Sequence, residues 1–352
     1  MITKLFLSLS LLFLTYTSQA VSSKALSDGF LPDETPLGVL YTKNTNVSYI
    51  LTQKNVYLLS NKRMTVFYKS TETIYCGFVN DSSIWLGIRN GITVLQRKDK
   101  QTTNINIEPN VKSYKVVSIV EKQDHTILVA TDAYGLYKYS KSNPAEKVNT
   151  IFPINKGVVT ADSSIWIGTD AGLFRNRKDE WTRYNEEGVA NFEIPDNIVQ
   201  NLIVDDFGFL WVIMRNGISV IEVVQRKEDH DHKHAEDMHG HLPSVEFIGD
   251  HENMIYDLSY FKGKGYIFAT DLGLLWMPIK SDEELMENFH HGHSEKVENK
   301  ELLIKINTTD INTQIGKVLF IAKTNGVNVL VGEKGIHELN TKDLKKLLIS
   351  NK

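Results

Sequence analysis

A short motif recurs along almost the whole chain, and this repetition constrains the fold more than any other feature of the sequence. The clearest copy reads SIWIGTDAGLF, from Ser164 to Phe174. Four further copies run from Ser83 to Leu95, Thr126 to Tyr139, Phe209 to Ile221 and Tyr266 to Met277, and fainter ones from Tyr49 to Leu59 and Val327 to Leu339. Repetition at this scale indicates an architecture built from similar structural units.

The spacing of the copies identifies the unit. One turn position in each copy sets the register: Asn55, Gly91, Gly135, Gly172, Gly217, Gly273 and Gly335. Successive intervals are 36, 44, 37, 45, 56 and 62 residues. Strand-forming repeats of roughly 40–50 residues are typical of propeller blades, in which four-stranded sheets surround a channel. The sequence therefore predicts an all-β fold, a seven-bladed β-propeller of four-stranded antiparallel blades.

Each copy is interpreted as a hairpin of the second and third strands of a blade. The Asn90–Gly91 and Asn216–Gly217 pairs are expected to supply the positive φ that tight hairpin turns require, and Gly172 and Gly273 to do the same. A further strand precedes each hairpin, and a more polar one follows it, as in EWTRYNE from Glu180 to Glu186. A blade thus contains strands a, b, c and d in chain order.

Composition supports a single globular domain. Apolar residues make up 41% of the chain, with 14 Tyr and 15 Phe, enough for one large core. Trp85, Trp166 and Trp211 are predicted to pack in that core, and the single Cys76 to be a small buried apolar residue. The net charge of −4 and the lack of a basic stripe argue against binding to nucleic acid.

The motif resembles the two-component regulator propeller repeats of the extracytoplasmic sensor regions of bacterial hybrid histidine kinases. The resemblance covers about residues 45 to 340. It is carried best by Ile165, Trp166, Ile167, Gly168, Thr169, Asp170, Gly172 and Leu173. It implies a ligand-sensing or protein-docking propeller. Because no kinase or DNA-binding segment follows the repeats, we expect a partner protein to pass on any signal.

The amino terminus predicts export. Lys4 precedes an apolar run from Leu5 to Leu14, and Ser18 and Ala20 supply small residues at the two positions that a signal peptidase reads. Residues 1–20 are therefore predicted to be a cleaved signal peptide. The run is shorter than the roughly 20 apolar residues of a spanning helix, so no stable membrane insertion is expected. Residues 21–352 are predicted to form one propeller domain in the periplasm or outside the cell.

Two insertions carry the only unusual chemistry. Residues 228–241, EDHDHKHAEDMHGH, follow the hairpin at Gly217, and residues 284–296 belong to the longer stretch that follows the hairpin at Gly273. Both are predicted to connect strands c and d of consecutive blades, so that they rise side by side from one face. Together they contain eight histidines: His230, His232, His234, His239, His241, His290, His291 and His293.

Clustered imidazoles suit Zn²⁺, Cu²⁺ or Ni²⁺. In an extended segment His230, His232 and His234 project to one side. A histidine from the rest of the cluster would complete the tetrahedral set that zinc prefers. Binding should weaken below about pH 6, because protonated imidazole cannot coordinate a metal. The predicted function is an exported, non-enzymatic metal-binding propeller acting as a sensor, buffer or metallochaperone, with a membrane sensor or transporter protein as its partner.

Two alternatives remain open at this stage. In the first, the propeller senses another ligand or docks a protein, and the His-rich segments are solvated spacers without a role. In the second, the protein is a propeller lyase or glycosidase, which would require polar residues from several blades to converge at the channel mouth. The sequence contains no phosphate loop, nucleophile elbow or HExxH motif.

Overall fold

The computed structural model describes residues 30, 33–41, 47–61, 63–111, 113–140, 143–149, 153–186, 194–223, 244–248, 254–279, 297–298, 304–324, 327–339 and 344. These residues form 28 β-strands and one short helix, α1 (Thr309–Ile315). The strands belong to seven separate sheets, and within each sheet the neighbouring strands are consecutive antiparallel segments, apart from one added strand described below. The predicted seven-bladed β-propeller is confirmed.

Strands a and b occur in all seven blades. The a strands are β1 (Pro36–Tyr41), β5 (Cys76–Val79), β9 (Val116–Glu121), β13 (Ile154–Val159), β17 (Val199–Val204), β21 (Ile255–Phe261) and β26 (Val318–Thr324). The b strands are β2 (Ser48–Thr52), β6 (Ser83–Ile88), β10 (Ile127–Thr131), β14 (Ile165–Thr169), β18 (Phe209–Met214), β22 (Gly265–Thr270) and β27 (Val327–Gly332). Nearly every side chain of the b strands is buried, as a run of Ile, Trp, Leu and Val favours.

Strands c and d complete the blades. The c strands are β3 (Asn55–Ser60), β7 (Gly91–Gln96), β11 (Gly135–Ser140), β15 (Gly172–Arg177), β19 (Gly217–Glu222), β23 (Gly273–Pro278) and β28 (Ile336–Leu339). The d strands are β4 (Arg63–Lys69), β8 (Thr102–Ile105), β12 (Asn143–Asn149), β16 (Glu180–Tyr184), β20 (Ser244–Ile248) and β25 (Ile304–Lys305). In the described part of the chain the seventh blade has three strands.

The register residues of the repeat mark the starts of the c strands, as the motif predicts. Six of them are the first residue of their strand, and Gly335 directly precedes β28. Gly172 and Gly273 have φ of 111° and 107°, and Asn90 has φ of 62°. Asn90 thus supplies the positive φ expected of the Asn90–Gly91 pair. The same expectation is wrong for Asn216–Gly217, since neither residue is among the described residues with a positive φ.

The a strands form the closed ring. Each a strand contacts the a strand of the next blade, and β26 of the last blade contacts β1 of the first. Strand a of six blades carries a bulge or irregularity next to its first residues, as between Val199 and Asn201. Bulges re-aim side chains and bend a strand. Their recurrence gives the inner wall of the ring a repeated geometry.

The core differs from the single mass expected from composition. Buried apolar residues form seven clusters, one between each pair of neighbouring blades. The reason is that each blade is a single sheet whose two faces both pack on neighbours. Trp166 and Trp211 are fully buried and Trp85 is 5% exposed, so the packing role predicted for them is confirmed.

Gly168, in strand b of the repeat copy from Ser164 to Phe174, permits this close packing of neighbouring blades. A Cβ on Gly168 would lie 2.5 Å from Cγ1 of Val199, in strand a of the next blade. Cys76 occupies a comparable interface, where its Sγ lies 3.4 Å from the carbonyl oxygen of Val116. Burial raises the pKa of the Cys76 thiol to about 12, so the thiol is kept protonated.

Candidate functional site: the loop face and the channel

The two ends of the ring differ in what they carry. Because the strands of a blade alternate in direction, the a–b turns and the c–d connections leave from the same end, which we call the loop face. The first His-rich insertion lies between β19 and β20, and the second lies between β23 and β25. Both therefore connect strands c and d of consecutive blades on the loop face, as the sequence predicts.

The predicted metal ligands themselves lie outside the described residues. These are His230, His232, His234, His239, His241, His290, His291 and His293. Their coordination stays a prediction. Within the ranges that the structure describes, no group of three or more His, Cys, Asp or Glu side chains is arranged to hold a metal ion.

A strand pairing joins the ends of the two insertions. The added strand β24 (Val297–Glu298) follows the second insertion and pairs in parallel with β20, which follows the first. Phe247 is the partner of Val297, and Ile248 of Glu298. The connection that starts in the sixth blade thus reaches back to the outer edge of the fifth. No periodic pattern in the sequence predicted this strand, which has only two residues.

Charged side chains from non-neighbouring blades meet at the loop-face end of the channel. The ammonium of Lys323, near the end of β26, forms an ion pair with the carboxylate of Asp206 in the a–b turn of the fifth blade. The two residues belong to the fifth and seventh blades, between which the sixth blade lies in the ring. Tyr41, the last residue of β1, is 49% exposed at the same end of the ring.

Two carboxylates act on the Tyr41 phenol. Partial desolvation at the channel mouth raises the pKa of Tyr41 above its ordinary value, and the negative charges of Asp257 and Asp206 raise it further. Tyr41 therefore stays protonated and keeps an O–H donor at the channel mouth. Residues of the first, fifth, sixth and seventh blades thus share one electrostatic environment.

The carboxyl group of Asp257 has a strongly shifted pKa. Protein atoms surround it in the wall of the ring, and this desolvation raises its pKa to about 6. Hydrogen bonds from the backbone N–H groups of Ile321 and Leu258, both 2.9 Å, and the charges of Lys156 and Lys323 oppose the rise. Both carboxylate oxygens of Asp257 accept hydrogen bonds from backbone N–H groups, so this side chain joins β21 to β26.

Asp257 belongs to a series of polar side chains that connect each a strand to the next. Asn201 donates to the carbonyl oxygen of Tyr256 (3.1 Å), and Asn155 donates to that of Val199 (3.0 Å). Ser118 bonds both the N–H and the C=O of Gly157, at 3.1 Å each. The a strands are the inner edges of their sheets, so their backbone groups need partners of this kind.

The aspartates of the a–b turns organise their own blades. Asp205 accepts hydrogen bonds from the N–H groups of Phe207 and Phe209, from the indole of Trp211 (2.9 Å) and from the hydroxyl of Tyr266 (2.5 Å). Burial raises the pKa of Asp205, and these bonds counteract the rise. In the fourth blade, Asp162 forms an equivalent cluster with Ser164 and Arg175.

The structure describes two histidines, His125 and His337, and neither has a second histidine or a cysteine arranged with it to hold a metal ion. The Nδ1 atom of His125 lies 3.0 Å from a carboxylate oxygen of Glu121, and its side chain is 87% exposed. His337 lies in β28. Asp250 and His251, which precede the sixth blade, are outside the described residues.

The geometry above defines a seven-bladed β-propeller, and solved structures have a similar fold. The extracellular domain of a protein described as a one-component system from B. thetaiotaomicron matches with a TM-score of 0.61 and 16% identity over 89% of this chain and 40% of that chain. The extracellular domain of a hybrid two-component system from the same organism matches with a TM-score of 0.54 and 11% identity, covering 86% and 39%.

An enzyme with the same architecture is also similar. Virginiamycin B lyase from Staphylococcus aureus matches with a TM-score of 0.56 and 11% identity over 89% of this chain and 98% of the lyase. At these identities the likeness is one of fold, and it is consistent with the repeat resemblance noted in the sequence. This chain spans about 40% of the length of the sensor structure first named.

Sequence comparisons add no family assignment, since no family model and no curated protein matches the chain. Among the helices that the structure describes, none combines the length and apolar character needed to cross a membrane.

Proposed function

We propose that this protein is an exported sensing or docking propeller whose loop face binds a divalent transition metal through the two His-rich connections. The observation that carries the proposal is the pairing of β24 with β20. Because of this pairing, the strand that follows the first insertion lies directly beside the strand that follows the second.

Chain length limits how far the histidines can lie from these paired strands. His241 is three residues before Ser244, and His293 is four residues before Val297. At no more than about 3.6 Å per residue, these histidines lie within roughly 11 Å and 14 Å of the respective strand starts. Because the two strands are parallel, both segments approach from the same end. A metal ion can therefore be shared by imidazoles of both insertions.

The proposed metal is zinc, copper or nickel, for which imidazole is a good ligand. The sensor domains that share this fold support a signalling context, in which a metal-loaded loop face docks a membrane sensor or transporter protein. Residues 1–20 would direct export to the periplasm or beyond. The proposal includes no catalytic activity, because Asp257 is engaged by backbone N–H groups and Asp206 by Lys323.

A second candidate function is docking or ligand sensing without metal. It is favoured by the fold similarity to extracellular sensor domains, and in it the histidines have no role. The charged channel mouth around Lys323, Asp206 and Tyr41 would then be the recognition surface.

Calorimetric titration with Zn²⁺, Cu²⁺ and Ni²⁺ tests the proposal. We expect the full-length protein to show saturable binding with a dissociation constant in the micromolar range or tighter, about −8 kcal/mol or stronger. A variant lacking residues 228–241 and 284–296 should lose this binding while its circular dichroism spectrum remains that of a β-protein. Unchanged metal binding by the deletion variant would refute the proposal.

A further inference from the structure

Seven residues, one from each a strand, occupy the same level of the ring. Each lies opposite the last-but-one residue of its b strand, as Lys156 lies opposite Gly168. We call this set the channel layer, and its members are Gly38, Cys76, Ser118, Lys156, Asn201, Asp257 and Phe320. The a strands form the inner ring, and every member except Ser118 is partly exposed. Solvent therefore reaches this level of the channel.

Lys156 is a member of the channel layer that does not join its blade to the next. Four other members bond the backbone of the following blade, as Asn201 does at the carbonyl oxygen of Tyr256. In the fourth blade the preceding residue, Asn155, makes the equivalent bond to Val199. Among the described residues, none forms a hydrogen bond or an ion pair with the ammonium of Lys156. This cation is therefore available to a ligand.

The charge of Lys156 acts on two blades that lie on opposite sides of its own. Burial raises the pKa of Cys76 in the second blade and of Asp257 in the sixth, and the charge of Lys156 counteracts both shifts. In salt solution, charges interact strongly only within about 10 Å. An ammonium of the fourth blade that acts on both of these blades therefore lies inside the ring, in the channel.

Gly38 and Phe320 leave an open space at the same level. A Cβ on Gly38 would have no other atom within 4 Å. Phe320, in the adjacent seventh blade, is partly exposed, and it directly precedes Ile321, whose N–H binds the carboxylate of Asp257. The channel layer thus combines a cation, a carboxylate, an apolar side chain and room for a further group.

The charges around the channel indicate which ligand fits. Lys323 forms an ion pair with Asp206, whereas no ion pair between described side chains joins Lys156 to Asp257. Each carboxylate oxygen of Asp257 accepts one backbone hydrogen bond and keeps a lone pair for another donor. A ligand with a single charge would compensate only one of these two groups, but a zwitterion can pair with both.

We propose that the channel binds a small zwitterion, an α-amino acid with an apolar side chain, whose carboxylate pairs with Lys156 and whose ammonium pairs with Asp257. The side chain of the ligand packs on Phe320 in the space beside Gly38. This site is distinct from the His-rich connections, so the inference goes beyond the metal proposal. It also gives the second candidate function, ligand sensing, a chemical class of ligand.

Calorimetry in the presence of EDTA tests the proposal independently of metal binding. The full-length protein is titrated with glycine, L-alanine, L-valine and L-leucine. We expect saturable binding of one molecule per chain, at least about tenfold tighter for an apolar side chain than for glycine. The N-acetyl derivative of the best ligand lacks the ammonium, and its amide lacks the carboxylate. Each derivative should bind at least about tenfold more weakly than the amino acid itself.

Variants of the protein test the assigned residues. Lys156→Met should weaken binding at least about tenfold, whereas Lys178→Met, in an exposed turn of the same blade, should leave it unchanged. Gly38→Leu fills the open space without removing a charge and should also weaken binding. This second variant keeps the test possible should Lys156→Met fail to fold.

Three outcomes would overturn the proposal. One is that none of the four amino acids binds. Another is equal binding of a derivative that lacks one of the two charges; for the N-acetyl derivative, this result would assign the channel to a simple carboxylate. The third is wild-type affinity in a folded Lys156→Met variant. Because the chelator removes metal, each of these outcomes leaves the metal proposal to be judged by its own titration.

Discussion

The carboxylate of Asp257 accepts a hydrogen bond from the backbone N–H of Ile321, at 2.9 Å, so a side chain of the sixth blade holds the inner strand of the seventh. The same carboxylate carries a pKa raised to about 6 by desolvation. The contact therefore joins two blades through a group whose charge changes within an accessible pH range.

The pKa of Asp257 predicts a pH dependence of stability. Its folded-state value of about 6 exceeds the unfolded value near 3.8, so the folded state favours the protonated form. As pH rises from about 4 to 6, ionisation penalises the folded state, and the penalty is constant above that range. Between about pH 4 and pH 6, the free energy of unfolding of the wild-type protein should fall by at most about 3 kcal/mol relative to that of Asp257→Asn.

Denaturant unfolding at several pH values measures this difference. Asp99→Asn, in an exposed turn of the second blade, is the control for removing one carboxylate far from the channel. A stability difference between wild type and Asp257→Asn that does not change with pH would contradict the raised pKa.

Replacing either of two adjacent aspartates in the fifth blade is predicted to lower the free energy of unfolding by very different amounts. Asp205→Ala removes the acceptor of four hydrogen bonds, two of them from the buried side chains of Trp211 and Tyr266, and should cost about 3–5 kcal/mol of unfolding free energy. Asp206→Ala removes only an exposed ion pair with Lys323 and should cost less than about 1 kcal/mol. Urea denaturation of the two variants compares them directly, and equal costs would refute the structural role of Asp205.

A repeat glycine is predicted to be essential for its turn. Gly172 has φ of 111°, and a Cβ there would lie 2.4 Å from the carbonyl oxygen of Tyr184, in the d strand of the same blade. Gly172→Ala should therefore destabilise the protein by about 2–4 kcal/mol. Gly38→Ala is the control, since a Cβ at Gly38 meets nothing within 4 Å, and it should change stability by less than about 1 kcal/mol. Thermal unfolding distinguishes the two, and a tolerated Gly172→Ala would show that the turn can relax.

The hairpins and the blade number could be predicted from sequence because they depend on local signals. Turn glycines such as Gly172 and apolar runs such as Ile165–Ile167 repeat at intervals that only a blade array explains. The channel mouth could not be predicted, because Lys323 and Asp206 are 117 residues apart and meet only once the ring has closed. The same holds for β24, whose two residues carry no periodic pattern but whose pairing with β20 brings the two insertions together.

The most direct test of the central claim is a Zn²⁺ titration of two partial variants beside the wild-type protein. One variant replaces His230, His232, His234, His239 and His241 by Gln, and the other replaces His290, His291 and His293. If both insertions ligate one ion on the loop face, each variant should bind zinc at least about tenfold more weakly than wild type, which binds one ion per chain. Absence of saturable binding by the wild type, or wild-type affinity in either variant, would contradict a shared site.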